Sequence, residues 1–411
     1  MRGAGGEFAD HRGVAEAFLA EDPQDFIAGL RRAGHQQATA RLRIRQHRLL
    51  GLAQRSVQLH AIRVAAPVAP GSAGDEGAFA FDDALSGKLN CSGLALSLWD
   101  RQTLLAYLTP RLFEPLGIEG ATWQSDPRGI NVGGWGLKIK TDDIARFGQL
   151  YLQQGEWQGE QLITPEWVAA ATSKQVRNDP HENIDWAQGY GYQFWRCQHG
   201  AYRGDGAFGQ YCIVMPDQDA VLAITSGIRN MQTVLNLVWE HLLPMQDAPL
   251  PTDSGAQTKL AERLALLRLQ TQSGAQTSHT AEIVSGKTYS FDQNEDGLRW
   301  IRLDFEENGA QLTLDDARGE HHIAVGYQQW AAGRTHHDQA IYETDPQAIA
   351  ASGAWTAEDT YSIRLSFAET PFIPTYSFRF AEDRVEYQKQ HNVGFGAPED
   401  LVRPMLVGKV E

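Results

Sequence analysis

Two short runs carry the residues of this chain that could line a ligand-binding cleft. The run Gly204–Ala207 (GDGA) combines an acid with small residues, which allow close approach of the backbone. Asp205 could accept a hydrogen bond from a substrate, or it could only fix a turn. Trp135 stands among glycines in GGWG and could line the cleft or pack in the core. For both residues the two alternatives stay open on the sequence alone.

Other catalytic and metal-binding patterns are missing from the sequence. It contains no Gly-x-Ser-x-Gly elbow and no phosphate-binding glycine loop followed by lysine, which disfavours lipase-type and nucleotide-type enzymes. Cys197 and His199 are close together, but two ligands without a third do not make a zinc site. We therefore predict no metal site. Two pairs of adjacent histidines are predicted to lie in solvated turns: His321-His322 and His336-His337.

Length, charge and cysteine content limit the function further. A chain of 411 residues is long enough for two or three domains with a sizeable core. Its net charge of −15 disfavours nucleic-acid binding by the whole chain. Cys91, Cys197 and Cys212 are odd in number and widely spaced, so they fit neither a disulfide framework nor a zinc site. Reduced thiols are typical of a cytoplasmic protein, which is the predicted location.

The N-terminal hundred residues have an unusual composition. Between Phe26 and Gly74 there are eight arginines and neither an acid nor a lysine. An arm of this kind could bind phosphates, but an irregular segment is the preferred interpretation. Helical spacing occurs over Gly13–Leu30 and Arg41–Arg55. The start of the chain lacks the apolar region of a secretory signal, and no stretch has the length of a membrane span, so no membrane association is predicted.

From Gln102 onward the pattern becomes clear. The leucine spacing over Gln102–Phe113 predicts a helix, and Thr141 is predicted to cap a second helix that ends near Gly155. Thr164 is predicted to cap a third helix, and Asn230 a fourth that begins at Met231. Aromatic and β-branched residues predict three strands in between: Gly191–Trp195, Phe208–Met215 and Ala220–Thr225. This order suits an antiparallel sheet packed by helices.

The last part of the chain is predicted to be a separate β domain. After a linker over residues 247–285 with a helix at Lys259–Leu269, apolar residues alternate with polar ones, as at Ile301, Leu303 and Phe305. Asn308-Gly309 is a hairpin-turn sequence. Further strands are predicted around Tyr361–Phe367, Ser377–Phe380 and Arg384–Tyr387. Residues 286–411 therefore form the predicted β domain.

Residues from about Gln102 to His241 resemble the β-lactamase-like serine hydrolases, which include enzymes related to class C β-lactamases, certain esterases and DD-peptidases. The segments that carry the resemblance are LTPRLFEPLGIEGATW, INVGGWGLKIKTDDIARFGQLYL, ITPEWV, GYGYQFW and GDGAFGQYCIVMPDQDAVLAIT. The resemblance implies a mixed α/β fold with an antiparallel sheet flanked by helices, here followed by the small all-β domain. Residues 102–246 would then be the C-terminal part of this hydrolase domain, and residues 1–101 a segment that does not match it.

The resemblance also implies a chemistry whose key residues this chain lacks. The family hydrolyses an amide or ester through a serine acyl-enzyme, without a cofactor, using a Ser-x-x-Lys pair and a Tyr-x-Asn or Ser-x-Asn element. No Ser-x-x-Lys occurs in the sequence, and Ala84 stands where the family tyrosine is expected. In the third motif, GDGA, Gly206 and the Ala207 amide could still form half of an oxyanion hole. Arg203 is predicted to point to the other face of that strand.

Two explanations for the missing motifs stay open. The chain could be a natural relative that kept the fold and lost catalysis, or residues 1–100 could be out-of-frame or rearranged sequence. The acid-free arginine stretch favours the second explanation. We predict a β-lactamase-related hydrolase that is inactive or impaired and takes a small amide, ester or peptide-like ligand. The alternative is a non-catalytic protein that binds a ligand or peptide in the same cleft; a third possibility, nucleic-acid contact through Arg31–Arg63, is disfavoured.

Overall fold

The computed structural model describes residues 102–244, 253–338 and 345–411, so the helices predicted at Gly13–Leu30 and Arg41–Arg55 lie outside the described residues. The chain divides into two compact units. The described part of the first unit runs to Gly206 and includes Tyr211–Ile224, and the second contains Ala207–Gln210 and Thr225–Glu411. Of the helices in the described ranges, none combines the length and the apolar character needed to cross a membrane.

The first unit combines helices with small antiparallel sheets, as predicted. The helices are α1 (Leu104–Leu108, continued by a π-helical turn over Thr109–Phe113), α2 (Thr141–Leu152) and α3 (Pro165–Thr172). The strands are β1 (Thr122–Trp123), β2 (Leu137–Lys138), β3 (Glu156–Trp157), β4 (Glu160–Gln161), β5 (Trp195–Arg196), β6 (Tyr202–Gly206), β7 (Gln210–Met215) and β8 (Ala220–Ile224). Strands β5, β6, β7 and β8 form one sheet in that order. Helix α2 lies against β8, where Gly148 allows close approach to Val221.

The second helix begins one residue earlier than the sequence predicts. Its N-cap is Lys140, which has an extended backbone and no side-chain cap, so the prediction of Thr141 as the cap is wrong. Asp142 and Asp143 lie in the first turn, where the helix dipole favours negative charge. The dipole therefore stabilises this helix start without a capping side chain.

The end of α2 is a Schellman motif. The Gln154 N–H donates to the Tyr151 carbonyl at 3.2 Å, and the Gly155 N–H donates to the Leu150 carbonyl at 2.8 Å. Gly155 has a φ of +84°, and a Cβ added there would lie 1.9 Å from the carbonyl oxygen of Ile163. The glycine near the predicted helix end is thus required by both its backbone and its neighbour.

The strand predictions in this unit are correct in two cases out of three. The predicted Phe208–Met215 and Ala220–Thr225 correspond to β7 and β8, joined by a short 3-10 turn over Pro216–Gln218. The predicted strand Gly191–Trp195 is wrong, because only Trp195 enters a strand. Gln193 has a left-handed φ of +67°, which breaks an extended run.

A buried aspartate organises the loop between β1 and β2. Asp126 accepts hydrogen bonds from the Arg128 side chain at 2.7 Å and from the main-chain N–H groups of Arg128 and Ile130 at 2.9 and 3.0 Å. Burial raises the pKa of the carboxyl, but these hydrogen bonds outweigh burial and hold the pKa below its ordinary value.

The second unit contains helices and one large sheet, which is antiparallel except for one parallel pairing. The helices are α4 (Met231–Leu242), α5 (Ser254–Ala265) and α6 (His279–Val284). The strands are β9 (Thr288–Phe291), β10 (Trp300–Glu306), β11 (Gly309–Asp316), β12 (Gly319–Gly326), β13 (Ala331–Thr335), β14 (Gln347–Ala357), β15 (Thr360–Phe367), β16 (Thr375–Phe380), β17 (Arg384–Gln390) and β18 (Leu406–Val410). The Asn230 cap is confirmed by the hydrogen bond from the Thr233 N–H. The predicted helix Lys259–Leu269 instead begins at Ser254, after Asp253, which caps it.

The ten strands form a barrel-like sheet. Neighbouring strands follow the order β12-β11-β10-β9-β18-β17-β16-β15-β14-β13, and a pairing of Gly326 with Ser352 joins β12 to β14. The predicted hairpin turn is confirmed, since Asn308 lies between β10 and β11 and Gly309 has a φ of +151°. The interior is filled by aliphatic and aromatic side chains, which include Leu312 and Tyr376.

Two of the four histidines predicted in solvated turns are inside this barrel. His321 and His337 are buried, whereas the His322 side chain is 63% exposed. On β12 the burial alternates, so that His321 lies on the same face as Ile323 and Val325. The prediction of solvated turns is therefore wrong for His321 and His337.

Candidate functional site

Strand β6 separates two environments in the first unit. Successive side chains of a strand point to opposite faces. Tyr202 lies on one face, in the core beside Phe194 at 5.7 Å between ring centroids, and Gly204 lines a cavity. Arg203 and Asp205 form an ion pair on the opposite face. The predicted orientation of Arg203, away from the Gly204 face, agrees with this arrangement.

Arg203 is a fully buried cation in an aromatic setting. Its Nε donates to Asp205 Oδ2 at 3.0 Å, and its Nη1 donates to Cys197 Sγ at 3.1 Å. Its guanidinium carbon lies 4.2 Å from the ring centroid of Trp186 and 5.7 Å from that of Trp195. A buried charge is tolerated when it is paired and hydrogen-bonded, and the rings add cation–π attraction. The ion pair therefore anchors β6 on the face opposite Gly204.

The same burial alters the acidity of the neighbouring groups. Burial raises the pKa of Asp205 above that of an ordinary carboxyl, although Arg203 lowers it in part. Burial also raises the pKa of Cys197 to about 11 and that of Cys212 to about 12. Both cysteines are free thiols, so they remain protonated and weakly nucleophilic at neutral pH.

On the other side of β6 lies an apolar cavity of about 260 Å³. Its walls come from α1, α2, the start of α3, the loop before β5 and β6 itself. The Trp167 and Tyr192 rings stack at 5.7 Å, and Phe147 stacks on Phe194 at 6.5 Å. The lining is mainly aliphatic and aromatic, and it includes Leu104, Tyr107, Phe147, Trp167, Tyr192 and Gly204.

The polar groups of the cavity are few. The Arg111 guanidinium lies 4.0 Å from the centroid of the Tyr107 ring and donates to the Tyr107 carbonyl at 2.9 Å. Gln193 accepts a hydrogen bond from the Tyr190 hydroxyl at 3.3 Å. Among the described residues that line the cavity, none is serine, cysteine, histidine or an acid. This lining suits the binding of an apolar group.

The four predicted cleft residues lie outside this lining. Asp205 is held by Arg203, Gly206 ends β6, and Ala207 is exposed in the turn that follows. The main-chain carbonyl of Trp135 accepts a hydrogen bond from the indole of Trp123 at 3.1 Å. The oxyanion and cleft roles of these residues stay predictions. Ala84, at the position expected for the family tyrosine, lies outside the described residues.

Sequence reasoning missed Gly204, which does line the cavity. The sequence feature that could have identified it is its position between two opposite charges, Arg203 and Asp205. Two opposite charges that are two residues apart on a strand point to the same face, so the glycine between them must face the other way. Among the described residues, none places a heavy atom within 4 Å of a Cβ added to Gly204, so its face is open toward the described part of the chain.

Comparison with known proteins places residues 93–233 in the family model described as Beta-lactamase. No curated protein matches the chain. Solved structures that are similar include a proposed 6-aminohexanoate-dimer hydrolase from Bacillus anthracis, at 21% identity and a TM-score of 0.31, covering 50% of this chain and 47% of that one.

The similar structures also include the following two. A proposed β-lactamase from Bacteroides dorei is 18% identical with a TM-score of 0.28, covering 35% of this chain and 50% of that one. The octameric penicillin-binding protein homologue from Pyrococcus abyssi is 14% identical with a TM-score of 0.30, covering 79% of this chain and 64% of that one. The chain spans about half the length of the first two structures.

Proposed function

We propose that this chain, which contains a β-lactamase-family domain at residues 93–233, descends from serine hydrolases that cleave an amide or ester and is itself impaired in that reaction. The family match is the observation that carries the proposal. It covers most of the stretch from Gln102 to His241 over which the sequence resembles this family, up to Thr233. In this family the hydrolysis proceeds through a serine acyl-enzyme, which forms when the serine attacks the carbonyl and expels the leaving group.

The impairment follows from the residues that the sequence lacks. Without Ser-x-x-Lys the chain has neither the usual nucleophile nor the base that takes its proton. Removal of a nucleophile and its base together costs about six decades in kcat, and a small residual rate over water can survive from substrate binding and the oxyanion hole.

The apolar cavity that Gly204 lines is the proposed binding site for the ligand. Its apolar walls would accept the hydrocarbon or aromatic part of an amide, ester or peptide-like molecule, and Arg111, which is among the lining residues, would face a polar or anionic part. We propose this class of small molecule as the ligand of the hydrolase unit.

The test is the intact mass of the purified chain after incubation with a β-lactam and, separately, with a fluorophosphonate. The proposal expects no adduct on a protein that melts cooperatively. A stoichiometric adduct that maps to one serine would support hydrolase descent and overturn the impairment. A protein unfolded in denaturant is the control, since labelling that persists after unfolding is non-specific.

The fold itself is checked in the same samples. The proposal expects a cooperative transition by circular dichroism and slow hydrogen exchange in β7 and α2. A chain without a cooperative transition would contradict a hydrolase-like unit that has kept its structure and lost only catalysis.

A further inference from the structure

Three side chains with metal-binding atoms meet inside the barrel of the second unit. His321 Nε2 lies 2.9 Å from Asp316 Oδ1, and His337 Nδ1 lies 2.7 Å from Asp316 Oδ2. One ligand atom from each of the three residues can be chosen so that all lie within 4.8 Å of one another. The side chains are between 5% and 9% exposed. Two imidazoles and a carboxylate thus converge in a space that solvent barely reaches.

One hairpin and the end of a later strand bring these three residues together. Asp316 ends β11, and β12 begins after a short turn, so that Leu314 pairs with His321 across the hairpin. His337 follows β13. The site is therefore part of the sheet framework, which is the kind of support that holds metal ligands in place.

A hydroxyl stands beside the second nitrogen of each imidazole. His337 Nε2 lies 3.1 Å from the Tyr376 hydroxyl, and His321 Nδ1 lies 3.3 Å from Thr335 Oγ1. Histidines that bind metals generally use their other nitrogen in a hydrogen bond that orients the ring. Both rings already have such a partner.

The hydroxyl of Tyr376 fixes the proton on His337. Tyr376 donates its hydrogen to Asp338 Oδ2 at 3.0 Å, and that carboxylate is also paired with Lys389. The tyrosine oxygen must therefore accept from His337, so the Nε2 atom of His337 carries the hydrogen. The Nδ1 atom of a neutral His337 then presents a lone pair to the Asp316 carboxylate.

That arrangement requires a positive charge. A lone pair at 2.7 Å from a carboxylate oxygen is repulsive unless a cation or an added proton lies between them. Among the residues that the structure describes, the ion pairs of Asp316 are with the two histidines, and Lys389 is engaged by Asp338. Arg299 contacts the Asp315 carboxylate and the main-chain carbonyl of Asp316.

We propose that Asp316, His321 and His337 bind one divalent cation of the zinc type. The ligand atoms are His321 Nε2, His337 Nδ1 and one oxygen of Asp316, and a water molecule completes a tetrahedral set. Imidazole nitrogen and carboxylate oxygen bind Zn²⁺ at about 2.0–2.2 Å, which places ligand atoms about 3.4 Å apart. The two histidine nitrogens lie 2.9 and 2.7 Å from different oxygens of Asp316, so each N···O pair has to separate by about 0.5–0.7 Å to admit the metal. Two imidazoles with one carboxylate are an established donor set for borderline divalent metals.

The experiment is a titration of the full chain, first freed of metal by a chelator. Zn²⁺ is added in competition with a chromophoric chelator, and Co²⁺ is added separately as a spectroscopic probe. We expect one equivalent of Zn²⁺ per chain, and visible Co²⁺ bands of the intensity that tetrahedral nitrogen and oxygen ligands give. Absence of saturable binding to the native chain overturns the proposal, and this result depends on no variant.

Matched variants assign the site. His321→Ala and His337→Ala are expected to lower the Zn²⁺ affinity at least 100-fold. His322→Ala, on the adjacent exposed residue of the same strand, is expected to leave it unchanged. Tyr376→Phe removes only the orienting hydroxyl and is expected to cost 10- to 100-fold in affinity. Equal loss in His321→Ala and His322→Ala, or no loss in His321→Ala, would show surface binding and overturn the assignment.

Discussion

Replacement of Asp205 by alanine tests the contribution of the buried Arg203–Asp205 ion pair to the stability of the fold. The substitution leaves the Arg203 guanidinium without its carboxylate, while its side chain stays fully buried between Trp186 and Cys197. Removal of one partner from a buried pair costs about 3–5 kcal/mol, because the remaining charge is uncompensated. For a unit of this size, that corresponds to a fall in Tm on the order of 10 °C.

The chain contains a matched control for this experiment. Arg177 and Asp179 form an ion pair with the same Arg-x-Asp spacing, at 2.7 Å compared with 3.0 Å for Arg203 and Asp205. The side chains of the control pair are 79% and 39% exposed, whereas those of the buried pair are 0% and 10% exposed. Exposed ion pairs contribute little to stability, so Asp179→Ala is expected to leave the unfolding midpoint unchanged.

The assay is urea unfolding followed by tryptophan fluorescence and circular dichroism on the native chain and both variants. Asp205→Asn keeps the shape of the side chain and separates the loss of charge from the loss of volume. The double variant Arg203→Met with Asp205→Leu removes both charges and is expected to be more stable than Asp205→Ala alone. Equal midpoints for Asp205→Ala and Asp179→Ala would refute the reasoning that burial decides the strength of the pair.

Three further predictions concern local structure and ionisation. Gly155→Ala is expected to cost well over about 1 kcal/mol and clearly more than Gly159→Ala. Both residues have a positive φ, but of the two only Gly155 has a neighbouring main-chain oxygen, that of Ile163, which would lie 1.9 Å from the new Cβ. Urea unfolding of both variants measures the difference. Asp126→Asn is expected to lower the Tm at neutral pH, with the difference from the native chain shrinking as the pH falls below about 4. A lowered folded pKa gives stability that is present above the unfolded pKa and lost below it. Cys197 and Cys212 are expected to react slowly with iodoacetamide near about pH 8 in the folded chain and rapidly after unfolding, as peptide mapping can show.

Each of these has an outcome that contradicts it. Equal stability of the two glycine variants would show that the loop at Gly155 moves to make room for a side chain. A Tm difference for Asp126→Asn that grows toward low pH would mean that the carboxyl is protonated more readily in the fold, not less. Fast labelling of Cys197 in folded protein would show that the Arg203 region opens to solvent.

The sequence predicts the parts of the fold that local chemistry controls. The Thr164 and Asn230 caps and the Asn308-Gly309 hairpin depend on residues within a few positions of each other, and all three are confirmed. The predicted strand at Gly191–Trp195 is wrong because its aromatic residues were taken as β-formers. Tyr190 and Trp195 instead pack edge to face at 4.7 Å around an irregular loop.

The cluster of Asp316, His321 and His337 could be predicted from the sequence only in part. The alternation His321, Ile323, Val325 is visible in the sequence, so the burial of His321 could have been predicted from the period of two. The local β11–β12 hairpin brings Asp316 and His321 together, but their meeting with His337 could not have been predicted, because it depends on which strands of a ten-stranded sheet are neighbours. That choice is set by tertiary packing and leaves no local signal.

Gly204 links the stability of β6 to ligand binding, and the two can be separated. Its backbone is not left-handed, and an added Cβ meets no heavy atom of the described ranges within 4 Å, so Gly204→Val is expected to fold as stably as the native chain. The new side chain would project into the 260 Å³ cavity and reduce the binding of an apolar fluorophore such as anilinonaphthalene sulfonate.

Gly134→Val is the control, since Gly134 is exposed, is not left-handed, has open space around it and lies outside the cavity lining. If both variants bind the fluorophore as the native chain does, the cavity is not where the fluorophore binds. If Gly204→Val alone loses stability, the face of β6 opposite Arg203 is packed rather than open.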